Sequence, residues 1–228
     1  MDKITPEKRN KLFNILSLAV NAENVIATSL IGLLFFLFGG EGNMDAVGAE
    51  AFQYFTVDSN ILIGFFCLLT IPFNIKALKT GELRIPDWLR NAKVAGTTAV
   101  TLTLVVALGF LGPVRGFASV LIGYKFFMHV LSPLLAIASL LVFENKGPYK
   151  FGIVTWAFIP TTLYGILYLI MVVIVGEENG GWPDHYMFNS NGLWLLAFIL
   201  LEAVTFGFGA LLWFLRKKIN EELTNNKN

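Results

Sequence analysis

Five ionisable side chains lie within long apolar stretches of the chain, where a charge is costly: Glu23, Asp58, Lys125, His129 and Glu202. An ionised group at the centre of a bilayer costs about 2.5 to 3.5 kcal/mol. We therefore expect all five to face the interior of a helix bundle, with Asp58 as the partner of Lys125. Lys125 and His129 are four residues apart and share one helix face. Counting along straight helices places all five between the membrane centre and its outer surface, with none in the inner third.

Two of the polar residues are suited to nucleophilic chemistry. His129 can exchange protons near neutral pH because the reference pKa of histidine is about 6.5. Thr56 lies in the most polar segment of any apolar stretch, residues 54–60. A threonine hydroxyl becomes a nucleophile only beside a base. The alternative is structural, in which Thr56 bonds a carbonyl one turn back and the charged residues form an ion-pair network that fixes helix register.

Metal, cofactor and nucleic-acid chemistry are not indicated. A zinc site usually needs three or four ligands at recognisable spacing, and no His-x-x-x-His, Glu-x-x-His or Cys-x-x-Cys pattern occurs. Glycine-rich phosphate loops and the Gly-x-Ser-x-Gly elbow do not occur either. The formal net charge of +1 offers no basic surface for nucleic acid. We expect no metal and no cofactor.

A dense polar and aromatic group follows Gly180-Gly181 and contains Trp182, Asp184, His185 and Tyr186. Trp and Tyr are common anchors at the membrane surface, so a solvated loop with interfacial anchors explains this group without any functional role. It is retained as a candidate part of the site because it lies in a connection predicted to be on the outer side.

These side chains need a membrane-spanning scaffold. Of the 228 residues, 55% are apolar and 14% are charged, against about 25% charged in an average soluble domain. A spanning helix takes about 20 residues, so the chain has room for six or seven spans. We predict an all-α polytopic membrane protein forming one transmembrane domain over residues 1–228. The apolar runs predict six helices, at about 12–38, 53–75, 94–112, 117–143, 151–176 and 191–215.

The basic residues predict the orientation. Fifteen of the seventeen fall in segments that six alternating helices place on one side: Lys3, Lys8, Arg9, Lys11, Lys76, Lys79, Arg84, Arg90, Lys93, Lys146, Lys150, Arg216, Lys217, Lys218 and Lys227. By the positive-inside rule both termini are cytoplasmic, and we expect the protein in the cell membrane. The sequence favours no particular oligomeric state.

Two motifs together resemble a known family. They are Tyr54-Phe55-Thr56-Val57-Asp58-Ser59-Asn60 on the second predicted helix and Met128-His129-Val130-Leu131-Ser132-Pro133-Leu134 on the fourth. The chain is similar here to the androgen-induced gene and androgen-dependent tissue-factor-pathway-inhibitor-regulating protein family of multi-span membrane proteins and to its bacterial relatives. Tyr164-Gly165 and, loosely, Trp182-Pro183-Asp184-His185-Tyr186-Met187-Phe188 extend the resemblance, which covers about residues 50 to 190. The chain departs from the family pattern at Asp58 and at Asp184-His185.

The resemblance implies a hydrolase for fatty acid esters of hydroxy fatty acids or related lipid esters. Thr56 would be the nucleophile and His129 the general base, and the partner would be a membrane lipid that reaches the site sideways between helices. The candidates for oxyanion donors, for orienting the histidine ring or for other support are Lys125, Ser59, Asn60, Asp58, Glu23 and Glu202. Straight-helix arithmetic leaves Thr56 and His129 about 10 Å apart in depth, so tilt must bring them together.

Two other functions fit the same polar layer. A small proton-coupled transporter would also bury acidic and basic residues in a bundle, although the six predicted helices show no inverted repeat or paired broken helices. The second alternative is a non-enzymatic membrane protein in which the polar core has only a structural role.

Overall fold

The chain folds as a bundle of helices. The computed structural model describes residues 5–26, 38, 48–144 and 150–225, and the regular secondary structure in these ranges is helical. The helices are α1 (Pro6–Glu23), α2 (Phe55–Thr80), α3 (Asp87–Arg115), α4 (Phe117–Leu121), α5 (Tyr124–Phe143), α6 (Phe151–Val175) and α7 (Trp194–Asn225).

Five of the helices in the described ranges, α2, α3, α5, α6 and α7, are long and apolar enough to cross a membrane. The prediction of an all-α, multi-pass integral membrane protein is confirmed. The first predicted span, 12–38, is described only through α1, which begins at Pro6 after the N-cap Thr5 and continues as a π turn over residues 24–26. Residues 27–37 lie outside the described residues, so a sixth span stays a prediction.

The predicted start of one helix and the predicted end of another are wrong. In both places a basic side chain that we assigned to a connection lies inside the helix. α3 begins at Asp87 rather than at residue 94, and Lys93 is 1% exposed within it. α7 continues to Asn225 rather than ending at 215, and Arg216 is 2% exposed. Asp87 is favourable in the first turn of α3, where the helix dipole is positive.

The predicted helix at 117–143 is divided in two. α4 ends at Leu121, Ile122 is extended, and Gly123 has φ +63° and ψ −138°, a conformation that a residue with a side chain rarely adopts. α5 then starts at Tyr124 and contains π turns at Phe127–Leu131 and Ser139–Phe143. The break and the first π turn set the position of His129.

α3 lies at the centre of the bundle and packs against α2, α5, α6 and α7. Its buried face is rich in small and hydroxyl-bearing residues over 95–103, which allow helices to approach closely in membranes. A Cβ at Gly96 would lie 3.1 Å from Ile63 Cδ1 of α2. A side chain at this position would require the Ile63 and Phe66 side chains of α2 to shift by a few tenths of an ångström or more.

A buried polar cluster at one end of the bundle joins α1, α2, α3 and α5. Lys93 Nζ donates to Glu144 Oε1 at 2.6 Å and to Asn21 Oδ1 at 2.7 Å. Asn21 Nδ2 donates to Glu144 Oε1 at 2.8 Å and to Asn74 Oδ1 at 2.9 Å, and Ser139 Oγ donates to the same Glu144 oxygen at 2.9 Å. This end carries the residues predicted to face the cytoplasm. Lys93 and Glu144 are buried charged groups that the sequence analysis did not count among the five intramembrane residues.

Candidate functional site

Thr56 and His129 form a buried pair in the middle of the candidate site. Thr56 Oγ1 lies 3.3 Å from His129 Nε2, and the two residues are 5% and 2% exposed. The separation of about 10 Å in depth expected from straight helices is not observed. That calculation assumed one unbroken helix over 117–143, and the break at Ile122–Gly123 and the π turn after it remove this assumption.

The ring of His129 is oriented by the carbonyl of Val120. His129 Nδ1 lies 2.7 Å from Val120 O, and a carbonyl can only accept, so Nδ1 carries the hydrogen. Nε2 is therefore left with its lone pair facing the Thr56 hydroxyl. Val120 O is available because α4 is only five residues long, and the last carbonyls of a helix lack intrahelical donors.

Pro133 and Asn60 explain the local backbone around His129. In the π turn each N–H bonds the carbonyl five residues earlier, and the Ser132 N–H donates to Phe127 O. The next carbonyl, Met128 O, would take its hydrogen bond from residue 133, but this residue is a proline without an N–H. Asn60 Nδ2 donates to Met128 O at 3.2 Å and to Thr56 O at 2.7 Å. Asn60 therefore supplies the missing donor and ties the helix that carries Thr56 to the turn that carries His129.

Thr56 lies in the first turn of α2, at the wall of an apolar cavity of about 450 Å³. The cavity is lined by α2, α3, α6, α7 and the loop before α7 and is partly open, and its volume is in the range of small-molecule sites. Its lining comprises Phe55, Thr56, Leu102, Thr103, Val106, Phe110, Leu111, Thr161, Tyr164, Gly165, Tyr168, Tyr186, Phe188, Ala197, Leu200, Leu201 and Val204. An acyl chain is the kind of ligand that this lining suits.

The loop between α6 and α7 folds over the start of α2. Asp184 accepts hydrogen bonds from Tyr168 Oη at 3.0 Å, Phe188 N at 2.7 Å and Asn189 N at 2.8 Å, which fix the loop on α6. The Phe55 N–H donates to Tyr186 Oη at 3.1 Å. The loop therefore caps α2 one residue before Thr56, where the N-cap Tyr54 contributes no side-chain hydrogen bond.

Aromatic contacts hold the remainder of this loop. Trp182 packs against Tyr164 and Tyr168, with ring centroids 6.3 and 6.1 Å apart, and the His185 ring lies 4.6 Å from that of Tyr54. Burial, together with the nearby Arg115 guanidinium, lowers the pKa of His185 below its usual value. The loop is thus a packed cover over the cavity and not only a row of interfacial anchors.

The polar residues that we expected to assist the pair are placed differently. Asp58 and Lys125 form no ion pair in the described structure, so that expected partnership is wrong. Neither Asp58 nor Glu202 orients His129, because Val120 O takes this role. Within the described ranges the carboxylate oxygens of Glu23 and Glu202 make no hydrogen bond to the pair.

Ser59 and Asn60 lie beside Thr56, but not as expected oxyanion donors. The Ser59 hydroxyl donates to Thr56 O at 3.2 Å and lies 2.9 Å from the Thr103 hydroxyl. The Asn60 amide is bonded to two carbonyls, as described above. Both side chains hold the backbone in place.

Sequence reasoning missed the roles of Val120, Lys93 and Glu144. A backbone carbonyl leaves no signal in residue types, so Val120 could not have been found. Glu144 directly follows the apolar run that ends at Phe143, and its pairing with Lys93 becomes visible only once α3 is extended to Asp87.

No protein-family model, curated protein or solved structure matches this chain. A function has to be argued from the site itself, since the same kind of bundle can carry many activities.

Proposed function

We propose that this chain is a membrane-embedded ester hydrolase of the androgen-induced gene type, with Thr56 as nucleophile and His129 as general base. The observation that carries the proposal is the 3.3 Å contact between the Thr56 hydroxyl and His129 Nε2 at the wall of an apolar cavity. Catalytic pairs lie at about 2.6 to 3.2 Å and are often looser without substrate.

The reaction proceeds in two steps. His129 Nε2 takes the Thr56 proton as Oγ1 bonds to the ester carbonyl carbon, and the alcohol leaves with that proton when the ester C–O bond breaks. Water, deprotonated by His129, then attacks the acyl carbon. The bond between this carbon and Thr56 Oγ1 breaks, His129 returns the proton to Oγ1, and the fatty acid leaves. The Val120 carbonyl stays bonded to Nδ1–H, so it stabilises the imidazolium that forms in each step.

The cavity and the resemblance together support the substrate class that we propose. The apolar lining between α3, α6 and α7 accommodates a hydrocarbon chain, and its position beside Thr56 leaves the ester group at the hydroxyl. We propose fatty acid esters of hydroxy fatty acids, or related lipid esters, which dissolve in the bilayer and reach the cavity from it. We propose that the protein is located in the cell membrane.

The membrane arrangement that we propose has six spans with both termini cytoplasmic. It combines the five described helices of spanning length with the first span predicted from the sequence at about 12–38 and takes its direction from the basic residues. The loop that covers the cavity then faces outward.

The direct test is turnover of a branched fatty acid ester by purified protein in nanodiscs. Thr56→Ala and His129→Ala should each abolish turnover, and Thr56→Ser should retain part of it because the hydroxyl remains. Thr70→Ala is the matched control, since Thr70 is a buried threonine of the same helix that donates to Phe66 O away from the cavity. Wild-type turnover in folded Thr56→Ala and His129→Ala would show the mechanism to be wrong.

Covalent labelling separates the hydrolase from the alternatives. A fluorophosphonate should label the wild type and should fail to label Thr56→Ala. Absence of labelling combined with substrate-driven proton flux in liposomes would favour a transporter instead.

A further inference from the structure

The proposed reaction needs a hydrogen-bond donor for the negative charge that develops on the ester oxygen. Such a donor is worth about 10²- to 10³-fold in kcat. The donors of Ser59 and Asn60 are directed at protein atoms, and Lys125 does not line the cavity. The group that faces the ester must be sought elsewhere on the cavity wall.

Tyr186 is placed beside the nucleophile. It lines the same cavity as Thr56, and its Oη is 3.1 Å from the N–H of Phe55, the residue immediately before Thr56. Its hydroxyl is therefore at the start of α2, on the side of Thr56 where the loop closes the cavity. The positive end of the α2 dipole adds favourable electrostatics for an anion there.

The hydrogen bonding of Tyr186 differs from that of the other two cavity tyrosines. Tyr164 Oη donates to Gln53 O at 2.6 Å, and Tyr168 Oη donates to Asp184 Oδ1 at 3.0 Å, so both of their protons are used. Tyr186 Oη accepts a hydrogen bond from Phe55. The Tyr164 phenol is also a hydrogen-bond neighbour of Tyr186 Oη. In the described structure no backbone carbonyl or carboxylate takes the Tyr186 proton, so an ester oxygen in the cavity competes for it only with the Tyr164 oxygen.

We infer that Tyr186 is a catalytic residue, whose phenolic O–H donates to the ester carbonyl oxygen as this oxygen becomes an oxyanion. The inference rests on the proposed function and deepens it. The Phe55 N–H bond to Tyr186 Oη polarises the phenol and keeps it in place, and no proton is transferred from Tyr186 in either step.

The loop is built to hold this hydroxyl rigidly. The Tyr186 N–H donates to Tyr168 Oη at 3.2 Å, and Asp184 bonds the backbone on the following side, at Phe188 N and Asn189 N. Burial also raises the pKa of Tyr186 to about 12, so the hydroxyl keeps its proton at neutral pH. Preorganised donors of this kind do not need to reorient during the reaction.

A purely structural role for Tyr186, as a cap for α2, is distinguished by comparing Tyr186→Phe with Tyr164→Phe. Each variant removes one tyrosine hydroxyl that bonds the backbone next to α2, and we expect a similar fall in Tm. Tyr186→Phe should lower kcat by about 10²- to 10³-fold with KM changed only a few-fold, and should slow fluorophosphonate labelling in parallel. Tyr164→Phe should lose only a few-fold in kcat.

The outcomes distinguish failure of the proposed role of Tyr186 from failure of the proposed hydrolase function. If Tyr186→Phe turns over and is labelled as fast as Tyr164→Phe, while Thr56→Ala is inactive, Tyr186 is only a cap and the Thr56–His129 mechanism stands. If wild-type protein neither hydrolyses the ester nor is labelled at Thr56, the proposed function fails and the role of Tyr186 fails with it.

Discussion

Asn60 connects the two halves of the candidate site at the level of single hydrogen bonds. It donates to Thr56 O on its own helix and to Met128 O in the π turn that carries His129. Because Ser132 N bonds Phe127 O and Pro133 has no N–H, Met128 O has no other helical donor. Asn60 is therefore a positioning residue for the pair.

Asn60→Ala is expected to lower kcat by about 10- to 100-fold, since small displacements of reacting groups are costly. The buried carbonyl left without its donor should also cost about 1 to 3 kcal/mol in the free energy of unfolding. Kinetics in nanodiscs and thermal unfolding measure the two effects. Asn74→Ala, which removes buried hydrogen bonds at the opposite cluster, should lose stability but keep its turnover per folded molecule. Equal kcat in both variants would contradict the positioning role.

His185 predicts a pH dependence of the outer loop. Burial and Arg115 lower its pKa, and the weaker opposing effects of Asp184 and Glu177 do not reverse this. The folded state therefore holds the neutral imidazole, while the unfolded chain takes up a proton near pH 6.5. The unfolded state binds more protons below that pH, so the stability from His185 is present above pH 6.5 and is lost as pH falls through the lowered folded pKa.

His185→Phe keeps a ring in contact with that of Tyr54 but cannot titrate. The Tm of the wild type should fall more steeply below pH 6.5 than the Tm of this variant, and thermal scans from pH 8 to pH 4.5 make the comparison. Parallel curves would exclude His185 as a source of acid sensitivity.

The residue types of Thr56 and His129 made them candidates for a nucleophile and a base, and the resemblance of the two motifs to a known family is what paired them. The partner of His129 was not predictable, since Val120 contributes a carbonyl that every residue possesses. Lys93 was assigned to a connection between helices, although it lies within α3, because a single lysine next to an apolar run is typical of a residue just outside a spanning helix. Its partners come from α1 and from the end of α5, which sequence spacing does not bring together.

At the level of elements, the division of the predicted fourth helix is what allows the site to form. A straight helix over 117–143 would carry the Val120 carbonyl within its own hydrogen-bond ladder. Separation at Ile122–Gly123 frees this carbonyl and folds it back onto His129, nine residues later. Glycine at 123 and proline at 133 were visible in the sequence, but their effect depends on tertiary contacts such as the Asn60 bond to Met128 O.

The cavity wall formed by α6 and α7 limits the length of the acyl chain that the cavity can hold. Ala197 of α7 lines the cavity, and Gly165 of α6 lies so close to Phe198 that a Cβ there would be 2.8 Å from its ring. Because the two helices are already in contact, a large residue at 197 has to occupy the cavity and cannot move outward.

Ala197→Phe should therefore reduce kcat/KM for long-chain esters by about tenfold or more, equivalent to about 1.4 kcal/mol, with little effect on short-chain esters. Ala203→Phe is the matched control, because Ala203 is exposed on the same helix and does not line the cavity. A chain-length series measured for both variants tests the assignment, and equal profiles would show that acyl chains bind elsewhere.

At the scale of the whole molecule, the Lys93–Glu144 cluster and the Thr56–His129 pair occupy different ends of the bundle. The first is closed by hydrogen bonds from α1, α2, α3 and α5, and Arg216 of α7 bonds Leu140 O and Glu144 O at 2.6 and 2.9 Å. This satisfied arrangement suits a structural clamp that holds the helices around the cavity.

Removing one partner of this pair should be strongly destabilising. Lys93→Met or Glu144→Gln is expected to lower the free energy of unfolding by about 3 to 5 kcal/mol, because the remaining group stays buried without its partner. The double variant should recover part of this loss. Arg84→Ala, which breaks the exposed contact with Glu82, should cost no more than about 1 kcal/mol. Additive losses in the Lys93 and Glu144 cycle would show that the two groups are not coupled.

The six-span arrangement predicts which exposed positions share a side of the membrane. Thr80 and Asn179 are exposed and are separated along the chain by the three spanning helices α3, α5 and α6, so they should lie on opposite sides. Lys8 is exposed in the first turn of α1 and should share the side of Thr80 if a first span is completed before α2. In a Cys67→Ser background, Asn179→Cys should react with an impermeant maleimide on intact cells, because the positive-inside rule places it outside.

Thr80→Cys and Lys8→Cys should react only after the membrane is permeabilised. Labelling of Lys8→Cys on intact cells, with Thr80→Cys protected, would mean that the chain crosses five times. Labelling of Thr80→Cys with protection of Asn179→Cys would invert the orientation and place the loop over the cavity on the cytoplasmic side. Because the predicted orientation comes from the basic residues and the predicted even number of spans comes from the apolar runs, the three sites test two separate predictions. Agreement of all three would fix both the topology and the side from which the loop covers Thr56.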